Sequence, residues 1–290
     1  MHPRDHLVRG ITQTTSLRVT CAVTRGVVEE ARRRHQLAPG PTVALGKALT
    51  SGLLLATLTK NLERVTVQLA GDGPIGRITV DANGSGDVRG YVTHPQAEAL
   101  RSHLLLGRDG VVNVTRDLGL RDLYQGQVSL ITGEIDEDVE AYLRISEQVP
   151  SALGCEVLAV DDGMRSAGIL VQALPGGDPE LVREMQHALR TGGLRELLRG
   201  GEPTAQELAA HLIGDEPIEW LDERPVQFAC PCSDGRITNM LRMLPPTDLD
   251  EMAAANEPAE IICNFCGAVF LIERAELEEI RRQVAPRESN

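Results

Sequence analysis

The sequence predicts an α+β fold with an N-terminal β-meander domain carrying helices, a helical linker, and a small C-terminal four-cysteine zinc-binding domain. Three observations predict it. Short alternating strand patterns joined by tight turns fill residues 65–92, and helical periodicity stands apart from them on either side. Four of the 6 cysteines then gather in two close pairs beyond residue 223. Strands joined by turns, with helices segregated from them, are the α+β pattern. A length of 290 residues suits one large domain or two ordinary ones, and 42% apolar with 24% charged residues is ordinary for a chain with a real core.

The elements follow in order. Residues 27–37 place apolar side chains between charged ones at helical spacing, and 41–59 form a more apolar helix expected to be buried on most faces. Strands at 65–69, 77–80 and 88–92 are punctuated by Gly71-Asp72-Gly73-Pro74 and Asn83-Gly84-Ser85-Gly86. Residues 137–148 read as a helix, and strands at 156–160 and 169–174 flank the Asp161-Asp162-Gly163 turn. This first domain is drawn as 1–175.

Residues 176–222 lose the strand signal. Helices are expected at 179–190, started by Asp178, and at 204–213, started by Pro203-Thr204. Glycines at 176, 177, 192, 193, 200, 201 and 214 interrupt the segment, and it carries 4 Arg against 10 acidic residues. A glycine-broken, acidic, helical stretch is expected to be only marginally stable alone. Residues 223–290 form the third region, and 285–290 read as a frayed tail.

Composition excludes several functions. With 1 Trp, 3 Tyr and 3 Phe, the core must be built from Leu, Val, Ile and Ala, and stacking platforms for bases or sugars are not expected. A net charge of −13 without a local basic patch argues against general nucleic-acid binding. No apolar run approaches the ~18 residues that span a bilayer, and residues 1–10 carry charges where a signal peptide needs an apolar stretch. The expectation is a cytoplasmic protein in a reducing compartment. Cysteines there serve as metal ligands or redox groups more often than as permanent disulfides.

The chemical signal is Cys230-Pro231-Cys232, thirty residues, then Cys263-Asn264-Phe265-Cys266-Gly267. Four thiols in two close pairs are the ligand count for tetrahedral zinc. The 7 histidines stop at His211, so Cys230, Cys232, Cys263 and Cys266 are the full set that the module supplies by itself. Four buried structural cysteines are the bland alternative. A thioredoxin-type dithiol would put CxxC at a helix N-terminus after a strand, whereas this one lies between strand-like runs and is followed by Gly267, as in a zinc knuckle.

A disulfide across CxC closes a small, strained ring, and strained disulfides are the labile, regulatory kind. Zinc ligation contributes ~10–16 kcal/mol in small modules, comparable to the ~5–15 kcal/mol stability of a whole domain. Metal loss should therefore unfold the module, and the marginal linker beside it can follow. Spacing alone leaves two readings open. One is a constitutive zinc staple; the other is a switch that turns oxidation into disorder.

Other candidates carry less. Gly71-Asp72-Gly73-Pro74-Ile75-Gly76 satisfies GxGxxG but is followed by a strand, so it reads as a hairpin turn. There is no GxxxxGK[ST], HExxH or GxSxG, so no enzyme constellation is expected. Glu147, Asp161 and Asp162 read as solvated carboxylates, His94 as a loop residue, and Cys21 and Cys155 as small buried hydrophobes.

These patterns resemble the heat shock protein 33 family of redox-regulated holdase chaperones. The specific residues are Phe228-Ala229-Cys230-Pro231-Cys232-Ser233 and Ile262-Cys263-Asn264-Phe265-Cys266-Gly267. Ala44-Leu45-Gly46, Gly71 to Gly76, Val88-Arg89-Gly90-Tyr91-Val92 and Ser146-Glu147-Gln148 support them. The resemblance implies a zinc-bound, reduced, inactive form. It implies that oxidation forms the disulfides Cys230–Cys232 and Cys263–Cys266, releases zinc and unfolds the linker. The protein then becomes a homodimer and holds unfolding client proteins without ATP. Pro231, which fixes φ inside the CxC, bears on how readily that ring closes. Two other readings are a constitutive adaptor with a purely structural zinc module and a zinc-ribbon nucleic-acid binder. The 7 Arg against 12 acidic residues of 223–290 oppose the second.

Overall fold

The computed structural model describes residues 5–59, 63–117, 123–161, 163–255 and 257–284. The expected tail at 285–290 and Asp162 of the 161–163 turn lie outside the described residues. The chain divides into two compact units, 1–229 and 230–290. The segment drawn as a linker at 176–222 lies within the first of them.

The first unit opens with β1 (His6–Thr12), β2 (Leu17–Val23), α1 (Arg25–His35) and α2 (Pro39–Ala56). The meander follows as β3 (Arg64–Gly71), β4 (Arg77–Asn83) and β5 (Asp87–Val92). Next come α3 (Ser102–Leu106), β6 (Gly110–Asp117), β7 (Tyr124–Ser129), α4 (Ile135–Ile145), β8 (Ser151–Val160) and β9 (Gly163–Ala173). It closes with α5 (Pro179–Arg190), α6 (Gly193–Gly200), α7 (Ala205–Ile213), β10 (Ile218–Pro225) and the two-residue β11 (Gln227–Phe228). Two sheets result, ordered β10-β1-β2-β9-β8 and β11-β5-β4-β3-β6-β7. All pairings are antiparallel except β11 on β5.

Helix α2 fills the space between the sheets. Thr42, Thr50 and Ser51 are buried in it along with its leucines. Gly52 lets it approach the six-stranded sheet, since a Cβ there would meet Val80 at 2.7 Å. On the five-stranded sheet, alternate side chains separate into two cores. Leu7, Ala22, Leu153, Cys155 and Leu170 face α2. Val8, Val19, Cys21, Ala152, Ile169 and Val171 face α5–α7, packing against Val182, Met185, Leu194, Leu198 and Leu208. Burial under α7 pushes the Cys21 thiol up to about 12. No helix of the described residues is long and apolar enough to cross a membrane.

Three expectations change. Residues 218–222, drawn in the linker that was expected to be without strand, form β10 together with 223–225 because they pair with β1 across its length. Glu147 is not a solvated carboxylate: it accepts from the Tyr142 hydroxyl at 2.9 Å and pairs with Arg116 at 2.5 Å. A third linker helix, α6, stands between the two that were expected. His94 and Asp161 are exposed, outside helix and strand, as expected, and the GxGxxG segment is the β3–β4 turn.

Asp138 shows how the loop before α4 is fixed. Its carboxylate is fully buried and accepts from the backbone N–H groups of Ile131, Thr132 and Gly133 at 2.8, 3.0 and 2.8 Å. Asp138→Ala strands three donors and should cost roughly 3–5 kcal/mol. Urea unfolding followed through Trp220, the chain's 1 Trp and a residue of β10, reads that loss directly.

Candidate metal centre

The second unit comprises α8 (Asp234–Leu241), α9 (Pro246–Ala254), β12 (Ala259–Ile262), β13 (Val269–Ile272) and α10 (Arg274–Val284). Its core is thin. Ile237, Leu241, Leu249, Ile272, Leu277 and Ile280 are the buried apolar side chains that cluster there. So few buried groups do not by themselves offset the ordering entropy of such a unit.

Strands β12 and β13 pair antiparallel from Ala259↔Ile272 to Ile262↔Val269, and Cys263 and Cys266 form the tip of that hairpin. The Cys263 N–H donates to the Ala268 carbonyl at 2.9 Å. The N–H groups of Cys266 and Gly267 both donate to the Cys263 carbonyl, at 3.2 and 2.8 Å. Gly267 takes φ +70°, a conformation in which a side chain would be strained. Cys230 and Cys232 lie on the segment before α8, where the Ser233 hydroxyl caps the helix by accepting from the Arg236 N–H.

All four sulfurs lie within 4.8 Å of one another, with Cys230–Cys263 at 3.8 Å and Cys232–Cys266 at 3.3 Å. Ligands at ~2.3 Å around a tetrahedral ion sit about 3.8 Å apart, so the set fits a four-thiolate metal. Cys266 is buried and the other three are half-buried. Burial, and then the neighbouring thiols, push Cys232 up. Cys263 is raised for the same reasons, opposed by the Phe265 N–H aimed at it. Four sulfurs this close can all be thiolates only with a cation among them.

The four predicted site residues therefore come together. Cys21 and Cys155 stay apart from them, both fully buried in the first unit, with Cys155 3.3 Å from the Ser51 hydroxyl. Sequence reasoning missed the Phe265 N–H and the Ala268 carbonyl, which act through backbone and leave no residue signature.

A profile of the Hsp33 protein family matches residues 5–273. The chain belongs to the Hsp33 family. A 33 kDa chaperonin of Geobacillus kaustophilus is 37% identical over 295 residues, covering 98% of this chain and 99% of that protein. The 33 kDa chaperonin of Bacillus subtilis is 35% identical, with 96% and 99% covered. The crystal structure of the Thermotoga maritima 33 kDa chaperonin, a heat shock protein 33 homolog, superposes with a TM-score of 0.87 at 30% identity. The match covers 97% of this chain and 99% of that one. Family membership thus spans both units.

Cys266→Ser removes the most buried of the four thiols. Bound metal should fall from about one per chain to near zero, and amides of β12, β13 and α10 should lose hydrogen-exchange protection while α2 keeps its own. Persistent hairpin protection without metal would mean that the apolar cluster suffices.

Proposed function

We propose that this protein is an ATP-independent holdase chaperone activated by oxidation of Cys230, Cys232, Cys263 and Cys266. The carrying observation is the four-sulfur cluster, built into a unit whose own core is six apolar side chains. Zinc is the ion that suits four thiolates in tetrahedral array, and when bound it would hold them in the nucleophilic form and tie the hairpin tip to the segment before α8.

Oxidation joins Cys230 to Cys232 and Cys263 to Cys266. Each pair gives two electrons to the oxidant, two sulfur–metal ligations are lost per disulfide, and one S–S bond forms. The ion then has no ligand set. What remains is a thin apolar cluster, and the unit loses the ligation energy that held it.

Only Ala229 separates β11 from Cys230, so disorder in the second unit starts one residue from the six-stranded sheet. Helices α5–α7 are the next elements to release. Gly176, Gly192, Gly200, Gly201 and Gly214 lie among them, and a Cβ at any of these meets nothing within 4 Å. Gly176, Gly192 and Gly214 take positive φ, where a side chain would be strained, and so punctuate the helices. Of the five, Gly200 lies inside a helix, at the end of α6, where it lowers helix stability. Release uncovers Val19, Ile169, Val171 and their neighbours, an apolar face suited to unfolding clients and to a second copy of the chain.

The test dilutes a chemically unfolded client into reduced, metal-loaded protein and into protein treated with hypochlorite, or with peroxide and mild heat. Light scattering suppressed only after oxidation, with zinc released, is the expected result. Equal scattering with zinc retained would leave a constitutive adaptor with a structural metal module. Gly200→Ala should stabilise α6 by about 0.5–1 kcal/mol and slow the gain of activity at a fixed oxidant dose, without changing metal content.

A further inference from the structure

Apolar contact is not all that holds α5–α7 to the five-stranded sheet. Gln186 donates to Glu140 Oε1 at 3.1 Å and to the Ser151 carbonyl at 2.8 Å, and Arg190 Nη2 reaches the same Glu140 oxygen at 2.7 Å. Arg195 grips Glu156 with two nitrogens, at 3.0 and 3.2 Å. From the sheet side, Arg165 donates to the carbonyls of Leu198 and Arg199 at 2.8 and 3.2 Å, and Arg25 of α1 pairs with Glu202 in the connection between α6 and α7.

The two carboxylates are built into the rigid part of the unit. Glu140 lies on α4 and also accepts from the Leu153 N–H at 3.0 Å, while Glu156 lies on β8. Their side chains are 5% and 11% exposed, against 50% and 48% for Arg190 and Arg195. Glu156, Arg190 and Arg195 line a cavity of about 550 Å³, which also exposes Lys47, Glu134 and Glu137 to solvent ions. Acidic and basic side chains alternate in the lining, where Asp136 and Glu196 join the glutamates and Arg199 joins the other cations. Burial lowers Lys47, but Asp136 and Glu156 more than reverse it, and Glu156 raises Arg195.

We propose that Glu140 and Glu156 form an ionic latch on the linker helices, so that ionic strength sets how readily those helices open, independently of the thiols. The regulatory meaning rests on the holdase reading; the latch itself does not. Ions in the cavity screen the Arg195–Glu156 pair and ions at the half-exposed Arg190 screen its pair with Glu140, and lifting α5 and α6 separates these guanidiniums from their partners. Apolar burial responds to salt in the opposite sense, being unchanged or strengthened. The sign of the salt effect therefore separates the two contributions. Opening is promoted by salt where the latch governs it.

The experiment follows amide exchange of α5 and α6 in the reduced, metal-loaded full chain at about 20 mM and about 0.5 M sodium chloride, with α2 as internal reference. Exchange in α5 and α6 should be roughly three- to tenfold faster at high salt. The double variant Glu140→Gln, Glu156→Gln should exchange fast at low salt and lose the salt response. Glu30→Gln breaks pairs with Arg33 and Arg34 on α1 and should behave as wild type. Salt-independent or salt-slowed exchange in the wild type would overturn the latch, as would a double variant that keeps the wild-type response. Neither oxidant nor client enters this readout, so its failure leaves the holdase reading standing, and failure of that reading leaves the latch.

Discussion

Both faces of the five-stranded sheet are apolar, and a sheet of that kind has to be covered twice. Helix α2 covers one face permanently, wedged between two sheets with Gly52 against Val80. Helices α5–α7 cover the other, and they are short, separated by glycines, and seated partly through exposed arginines. The same strands thus carry one cover enclosed by a second sheet and one built of short helices. That inequality, and not any special surface chemistry, is what a chaperone reading requires of the first unit.

The two units hold themselves together by different means. The first has a large core that no single interaction controls. The second has a thin apolar cluster and four sulfurs whose mutual proximity is unfavourable for thiolates unless a cation joins them. Stability that resides in one place can be removed by one chemical event. Among the described residues of the first unit no such cluster of thiols occurs: Cys21 and Cys155 are each buried, the latter beside the Ser51 hydroxyl.

Legibility in the sequence follows the range of the interactions. The β3–β5 meander was readable because each turn is local, and the metal centre because ligands one and two residues apart are a local signature. Strand β10 was not. Its Glu219, Asp222, Glu223 and Arg224 look like loop, and only pairing with β1, some two hundred residues earlier, makes it a strand. Glu147 was misread for the same reason, since Arg116 lies on a different element. The carboxylates that seat the linker were invisible too, with partners 50 and 39 residues away.

Cys21 marks the covered face. Burial beneath α7 raises its thiol to about 12, against the hydrogen bond that the Ala209 backbone offers it. A buried, protonated thiol is a poor nucleophile, so this sulfur is inert for as long as α7 stays in place. The helix that completes the apolar packing thereby also shields the sheet's own sulfur from chemistry.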